Sequence, residues 1–263
     1  MKTLLLIRLV PAVLIAGMYA LPLNAQSLLS RATESRRLQM EGDGGRNGAS
    51  VAWNPVRQLY YAAIAGNTAF PLETFSATGR NLSAAEAGFD FRGLWWDPKA
   101  RALMGNGYSE SGWWMASLTS SGHASGDGEV AIAGMNQPEE QSVGAYDPAS
   151  KRIAFLGESQ VVLYSPKTGA QGKAIALNGV PCSWDEVNYT SAICTGSKTY
   201  TYGILEYEAR RVHFFSRKGA FTGSIRLPDD APANFAFCFA YANGLMWLFD
   251  IDARVWIGYE IFR

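Results

Sequence analysis

The chain has 263 residues, with 23 Lys and Arg against 23 Asp and Glu, 27 Gly, 11 Pro, 8 Trp and 3 Cys, and 48% of it is hydrophobic. That much apolar material and that little cysteine exclude a disordered chain, a collagen-like fibre and a small disulfide-stapled scaffold. Zero formal charge also removes the footprint of a nucleic-acid binder, which needs clustered Lys and Arg to displace counterions from phosphates.

Lys2 and Arg8 give a positive start, Leu9 to Leu23 is an uncharged, mostly apolar run, and Asn24-Ala25-Gln26 follows. The run is shorter than the roughly 20 residues that span a bilayer, and a small residue at Ala25 suits signal-peptidase cleavage. The expectation is a signal peptide over 1–25 and one secreted or periplasmic domain over 26–263, a monomer with no membrane span after cleavage. Without Lys2 and Arg8, 21 basic residues face 23 acidic ones.

Two turn signatures then recur. Trp53-Asn54-Pro55, Trp96-Asp97-Pro98 and Tyr146-Asp147-Pro148 each end an apolar run, and a basic residue and a second apolar run follow. Phe75 to Gly79, Leu118 to Gly122, Tyr164 to Gly169 and Phe215 to Gly219 are strand ends running into a turn with Ser or Thr and a closing Gly. The glycine supplies the positive φ of a tight hairpin, and the hydroxyl bonds the turn backbone. The glycines fall 43, 47 and 50 residues apart and the prolines 43 and 50 apart, in one phase. A repeat of that length with two turns per unit is four short strands, the unit of a β-propeller blade.

In chain order the blades run from about Ser50 to Ala85, Phe91 to Ala133, Val143 to Leu177 and Tyr189 to Leu227, with Thr195-Gly196-Ser197-Lys198 replacing the Asp-Pro turn in the fourth. The fifth has Phe235 to Tyr241, Leu245 to Phe249 and Arg254 to Phe262, one strand short. Stepping one period back from Gly79 reaches Arg36, so Arg37 to Glu41, with Leu38 and Met40 on one side, is expected to supply the missing outer strand. The predicted fold is therefore all-β, a five-bladed propeller whose N-terminal strand closes the last blade. Asn178 to Asn188 is the one stretch with room for a further strand.

These aromatic-Asp/Asn-Pro and Ser-Pro-x-x-Gly turns resemble those of the NHL and YVTN-like β-propellers. The resemblance covers most of the chain after residue 25 and implies fold rather than activity. Six blades are more usual in such proteins, whereas the repeat length here fits five. Some secreted propellers are lactonases with a channel-bound divalent cation, which carboxylates with Asn188 or Asn234 would imitate here.

Strands buried on both faces give the doublets Trp95-Trp96 and Trp113-Trp114 core roles. Trp184, in the connection Pro181 to Glu186, is the best candidate for a surface aromatic. The links between blades and the middle hairpins carry Asp43, Glu86, Asp90, Glu139, Glu140, Asp185, Glu186, Asp229, Asp230, Glu110, Glu158, Asp250 and Asp252, while the opposite loops carry Arg57, Arg80, Lys99, Lys151, Lys167, Lys198, Arg217 and Lys218. One face should be acidic and the other basic. The candidate ligand-binding residues are Trp184, Asp185, Glu186, Asn188, Glu139, Glu140, Asp229 and Asp230, with Asn67 and Tyr189 as rim residues. Glu86, Asp90, Asp185 and Glu186 are the candidate ligands for Ca2+ or another divalent cation held by oxygen.

His123 and His213 stand far apart in the repeat and read as structural. Gly42 to Gly45 lacks the strand-to-helix setting of a phosphate loop. Cys182 and Cys194 are the closest pair for a disulfide, and Cys238 reads as a small buried residue. Two functions fit: a non-catalytic module binding a protein, peptide or glycan on its loop face, and a divalent-cation-dependent, lactonase-like hydrolase at the acidic channel mouth.

Overall fold

The structure, a computed structural model, describes residues 26–41, 46–66 and 71–263. The predicted leader, the glycine-rich stretch at 42–45 with Asp43, and Asn67 lie outside the described residues. Among the described residues no helix is long and apolar enough to cross a membrane.

The first strand is β1 (Leu28–Gln39). Three antiparallel four-stranded sheets follow in simple order. The first contains β2 (Asn47–Asn54), β3 (Leu59–Ala65), β4 (Pro71–Ser76) and β5 (Asn81–Glu86), and the second β6 (Phe91–Asp97), β7 (Ala102–Gly107), β8 (Trp113–Leu118) and β9 (Ala124–Ile132). The third contains β10 (Ala145–Asp147), β11 (Arg152–Gly157), β12 (Gln160–Tyr164) and β13 (Gln171–Ala176). An eight-stranded sheet remains. One half is β14 (Ile193–Cys194), β15 (Tyr202–Glu206), β16 (Arg211–Phe215) and β17 (Phe221–Arg226). The other half is β18 (Phe239–Ala242), β19 (Leu245–Asp250) and β20 (Val255–Phe262), with β1 antiparallel on the outer side of β20. The halves meet at a single parallel pair, Arg31 with Arg226.

The outer strand is longer than the sequence suggests and begins nine residues earlier, at Leu28 rather than Arg37. Leu38 and, one residue past the end of the strand, Met40 are buried, as their alternation demands. The strand expected from Phe235 starts only at Phe239, because Phe237 and Cys238 take left-handed φ values of 52° and 56° that break the extended run. Asn178 to Asn188 forms a short 3-10 turn at Trp184–Glu186 and isolated bridges rather than a further strand.

The aromatic-Asx-Pro turns owe their shape to the Asx side chain. Asn54 Oδ1 accepts the N–H groups of Val56 and Arg57, and Asp97 Oδ1 accepts those of Lys99 and Ala100. Asp147 Oδ1 accepts the N–H of Ala149. Each carboxylate or amide so mimics a backbone turn, the local bond that favours Asp and Asn there. The later turn glycines have a second use. Gly79 and Gly219 take φ values of 89° and 80°, and a Cβ at either would collide with a carbonyl of the preceding outer strand, Arg37 of β1 or Ala176 of β13.

Five cores fill the spaces between sheets. Leu72 and Tyr61 meet Phe91 and Trp114; Trp95 and Trp113 meet Phe155 and Tyr164; Leu156 and Val161 meet Ile204 and Phe215. Val212 and Phe214 meet Leu248 and Ile257, and Trp247, Phe249 and Trp256 return to Val51, Tyr60 and Phe75 of the first sheet. The cores therefore close a cycle. Neighbouring residues on one strand serve opposite cores, as Trp113 and Trp114 do, because strand side chains alternate between faces. The radial, propeller-like packing follows from sheets that are apolar on both sides.

Burial in these cores pushes the phenols of Tyr60, Tyr61, Tyr202 and Tyr259 upward, and that of Tyr241 up to about 12. In the unfolded chain they ionise near pH 10. Between those values the folded state retains protons that the unfolded chain releases, so the stabilisation is complete below about pH 10 and is lost as pH rises toward the folded values. The melting temperature should fall above about pH 10, and tyrosinate absorbance should appear together with unfolding. Tyrosinate appearing in full while the fold persists would contradict this burial.

Candidate functional site at the channel mouth

The inner strands β2, β6, β10, β14 and β18 surround a central channel, and a recess opens at the end where the Asx-Pro turns lie. The recess has a volume of about 280 Å³ and is lined by parts of all five strands. Four half-buried aromatics, Trp53, Trp96, Tyr146 and Tyr241, stand at its rim, with Pro55, Pro98 and Pro148 outside them. Three of the four are the aromatic of the repeated turn motif. Each directly precedes the buried Asn or Asp of its turn, at the end of an inner strand, where the side chain packs against the edge of a core and also borders the recess. Trp96 packs against the core between the first and second sheets and leaves part of its ring at the recess, while its neighbour Trp95 is buried.

The polar features of the mouth are sparse. Burial first, and then the Asp97 and Asp147 carboxylates, push the Tyr146 phenol upward. Asp97 and Asp147 are themselves buried and spent on their turns. The lining includes no Asp, Glu, His or Lys. By contrast Arg57, Lys99, Lys151 and Lys198, all exposed, sit in the surrounding turns. A side recess of about 190 Å³ is lined by Arg57, Arg101 and Trp96 among others.

At the opposite end, the link face gathers part of the predicted set. Glu139 and Glu140 line a cavity of about 400 Å³ with Tyr189, and Glu139, Trp184 and Tyr189 line an adjoining one of about 420 Å³ with Glu158. Tyr189 stacks on Phe235 at 6.2 Å, and both are more than half exposed. The other candidates are placed elsewhere. Asn188 is fully buried, its amide donating to the carbonyls of Asn234 and Phe237 and accepting from Thr190 and Ser191, so it braces the link and offers nothing to a ligand. Asp229 pairs with Arg31 and Arg226 on the outer edge, with exposed Asp230 beside it in the chain.

The proposed oxygen cage is not assembled. Glu86 is exposed at the end of outer strand β5, and the Asp90 carboxylate is taken by the guanidinium of Arg92. Asp185 is exposed and held below the usual carboxylate range by a hydrogen bond from Ser183, and Glu186 Oε2 accepts the Ser183 N–H. Among the described residues, one group brings three metal-capable atoms within 4.8 Å of one another: Cys182, Glu206 and His213. Sequence reasoning set these residues apart, because they meet only through strand pairing across the fourth sheet and a link loop folded over it.

All three cysteines are free, so the Cys182–Cys194 pairing does not form. Cys194 is buried on inner strand β14, whereas Cys182 is half-exposed in the link beside Glu206. Burial pushes the Cys194 and Cys238 thiols up, the latter to about 12.

Fold and recess together define a β-propeller with a ligand-sized opening at one end of its channel. No family model matches the chain, and no curated protein matches it significantly in sequence. Among solved structures it is similar to the glutaminyl cyclase of Myxococcus xanthus (TM-score 0.60, 11% identity, covering 88% of this chain and 96% of that one). It is also similar to a calcium-binding regucalcin of Agrobacterium tumefaciens (TM-score 0.52, 12% identity, 87% and 94%). A Bacteroides thetaiotaomicron protein of unknown function matches with a TM-score of 0.52 at 9% identity, over 90% of this chain and 75% of that one. Identities this low establish the shared fold and nothing about chemistry.

The link face depends on one buried cation. Arg92 is 5% exposed, donates to Asp90, Gln141 and the Phe91 carbonyl, and lies over the rings of Tyr108 and Phe237. Arg92→Ala leaves the Asp90 carboxylate without its counter-ion and should cost about 2–4 kcal/mol in denaturant unfolding, toward the low end because Asp90 reaches solvent. Arg92→Lys should recover less than half, since an ammonium cannot reproduce the fork. An unchanged midpoint in Arg92→Ala would contradict this role.

Proposed function

We propose that the chain is a five-bladed β-propeller that binds a small ligand at the aromatic channel mouth, without catalysing a reaction on it. The ligand has a flat apolar body and an anionic group. The count of five rests on five inter-sheet cores joined in a cycle, with β1 completing the last blade. The observation that carries the functional reading is the rim of Trp53, Trp96, Tyr146 and Tyr241 set among turns bearing Arg57, Lys99, Lys151 and Lys198. Aromatic rings supply large contact area at low entropic cost, and fixed positive charge around an apolar recess draws anions. A mouth lined without acid, base or nucleophile in an ionised state favours binding over the lactonase-like alternative, as does the dispersal of the carboxylates that reading requires.

The reading includes export. Lys2, Arg8, the apolar run to Leu23 and Ala25 support cleavage before Gln26.

Titration of intrinsic tryptophan fluorescence with naphthalene-2-sulfonate, 2-naphthalenemethanol and 1-naphthylmethylammonium tests the reading. Binding should be tightest for the sulfonate and should weaken with added salt. Trp96→Ala should reduce the sulfonate affinity about five- to tenfold, the loss of one stacking contact of about 1–1.5 kcal/mol. Preference for the ammonium, or an affinity untouched by Trp96→Ala, would refute the assignment.

A further inference from the structure

Away from the channel, the fourth sheet carries an arrangement that the ligand-binding reading does not use. Glu206 ends β15, and His213 lies on β16 opposite Ile204, two residues from Glu206 on the same strand face. His213 Nε2 lies 2.8 Å from Glu206 Oε2. Across the other neighbour, His213 pairs directly with Ser224 of β17, and its Nδ1 is 2.7 Å from the Ser224 hydroxyl. The link after β13 folds over this row and places Cys182 there, so that sulfur, carboxylate and imidazole lie within 4.8 Å of one another.

We propose that Cys182, Glu206 and His213 form a binding site for a divalent transition-metal ion of the zinc type. The donor set is one sulfur, one nitrogen and one oxygen, which suits borderline Zn2+ and not Ca2+ or Mg2+, whose sites are built of oxygen. Tetrahedral zinc with ordinary bond lengths needs donor atoms roughly 3.4–3.6 Å apart, so the imidazole–carboxylate contact opens slightly and the Cys182 loop closes. The loop movement falls on a half-exposed residue, and the wider imidazole–carboxylate spacing needs only a turn of the Glu206 side chain at the end of β15, with both strands left in place.

Three features beyond proximity support the assignment. His213 is 1% exposed and its Nδ1 is engaged by Ser224, which leaves Nε2 as the atom facing the carboxylate and the sulfur. Such an outer partner fixes the orientation of a metal-bound imidazole. Second, among the described residues no hydrogen bond engages the Cys182 sulfur, which leaves it open to a metal. Third, the site is deep at His213 and open at Cys182, which provides an entry path and leaves a fourth coordination position for water. On binding, the Cys182 thiol gives its proton to solvent as the sulfur–metal bond forms; no redox step is involved.

The site is far from the channel mouth in the blade scheme, and its test is independent of ligand binding there. Untagged protein freed of metal with a chelator is titrated with Zn2+ by calorimetry and with Co2+ by absorbance. One equivalent of each should bind, Co2+ should show a near-ultraviolet thiolate charge-transfer band, and Ca2+ should give no heat. Cys182→Ser should abolish the band and weaken Zn2+ at least tenfold, and Ser224→Ala should weaken it about tenfold with the band retained. Zn2+ should also slow alkylation of Cys182 in the wild-type protein, a readout that needs no variant to fold. Absence of stoichiometric Zn2+ binding, or a Co2+ band and Zn2+ affinity unchanged in Cys182→Ser, would overturn the proposal.

Discussion

Everything in this molecule depends on sheets that are apolar on both faces. A sheet of that kind cannot end a stack, because its last face would remain in water, and the only arrangement that leaves no bare face is a ring. Closing the ring brings Trp247, Phe249 and Trp256 onto Val51, Tyr60 and Phe75. Each large side chain buried there is worth about 1.5–3 kcal/mol. The five aromatic ones together amount to roughly 10 kcal/mol, as much as the whole net stability of an ordinary domain. Closure is thus a condition for folding. The pairing of β1 with β20 secures it, and the collision that any side chain at Gly79 would make with the Arg37 carbonyl shows how closely the first sheet approaches this strand.

The ring in turn creates the two environments where function can reside. Inner strands converge on the axis, so a half-buried side chain near the end of each strand borders both a core and a common space; that places Trp53, Trp96, Tyr146 and Tyr241 around one recess. The links between sheets have no such convergence. Their acidic residues are divided among separate tasks, Asp90 with Arg92, Glu186 with the turn at Ser183 and Asp229 with Arg31 and Arg226. Radial symmetry therefore concentrates aromatics at one end and disperses carboxylates at the other.

The repeat was legible because turns carry local chemistry: Asn54, Asp97 and Asp147 each bond their own turn backbone, and Gly79 and Gly219 need positive φ. Strand order and the use of the chain start as an outer strand followed from their spacing. What the sequence hid was direction. Glu139, Glu140 and Trp184 do come together, but Asn188 turns inward because its amide satisfies four backbone groups of the link. The aromatics of the turn motif read as punctuation, although their recurrence at one repeat position already implied a ring of like side chains. The Cys182, Glu206 and His213 cluster left no linear signal, since cross-strand register and a folded link assemble it.

The ring closes through the pairing of β1 with β20, where exposed Thr33 lies opposite exposed Glu260. The direct measurement is disulfide trapping in Thr33→Cys/Glu260→Cys with Cys182→Ser as background, read by non-reducing mass analysis and thermal unfolding. An intrachain bond should form in the folded monomer and raise the unfolding midpoint, because it locks a loop of most of the chain. A pair that stays reduced under oxidation, or joins only separate molecules, would show that the chain start does not close the ring.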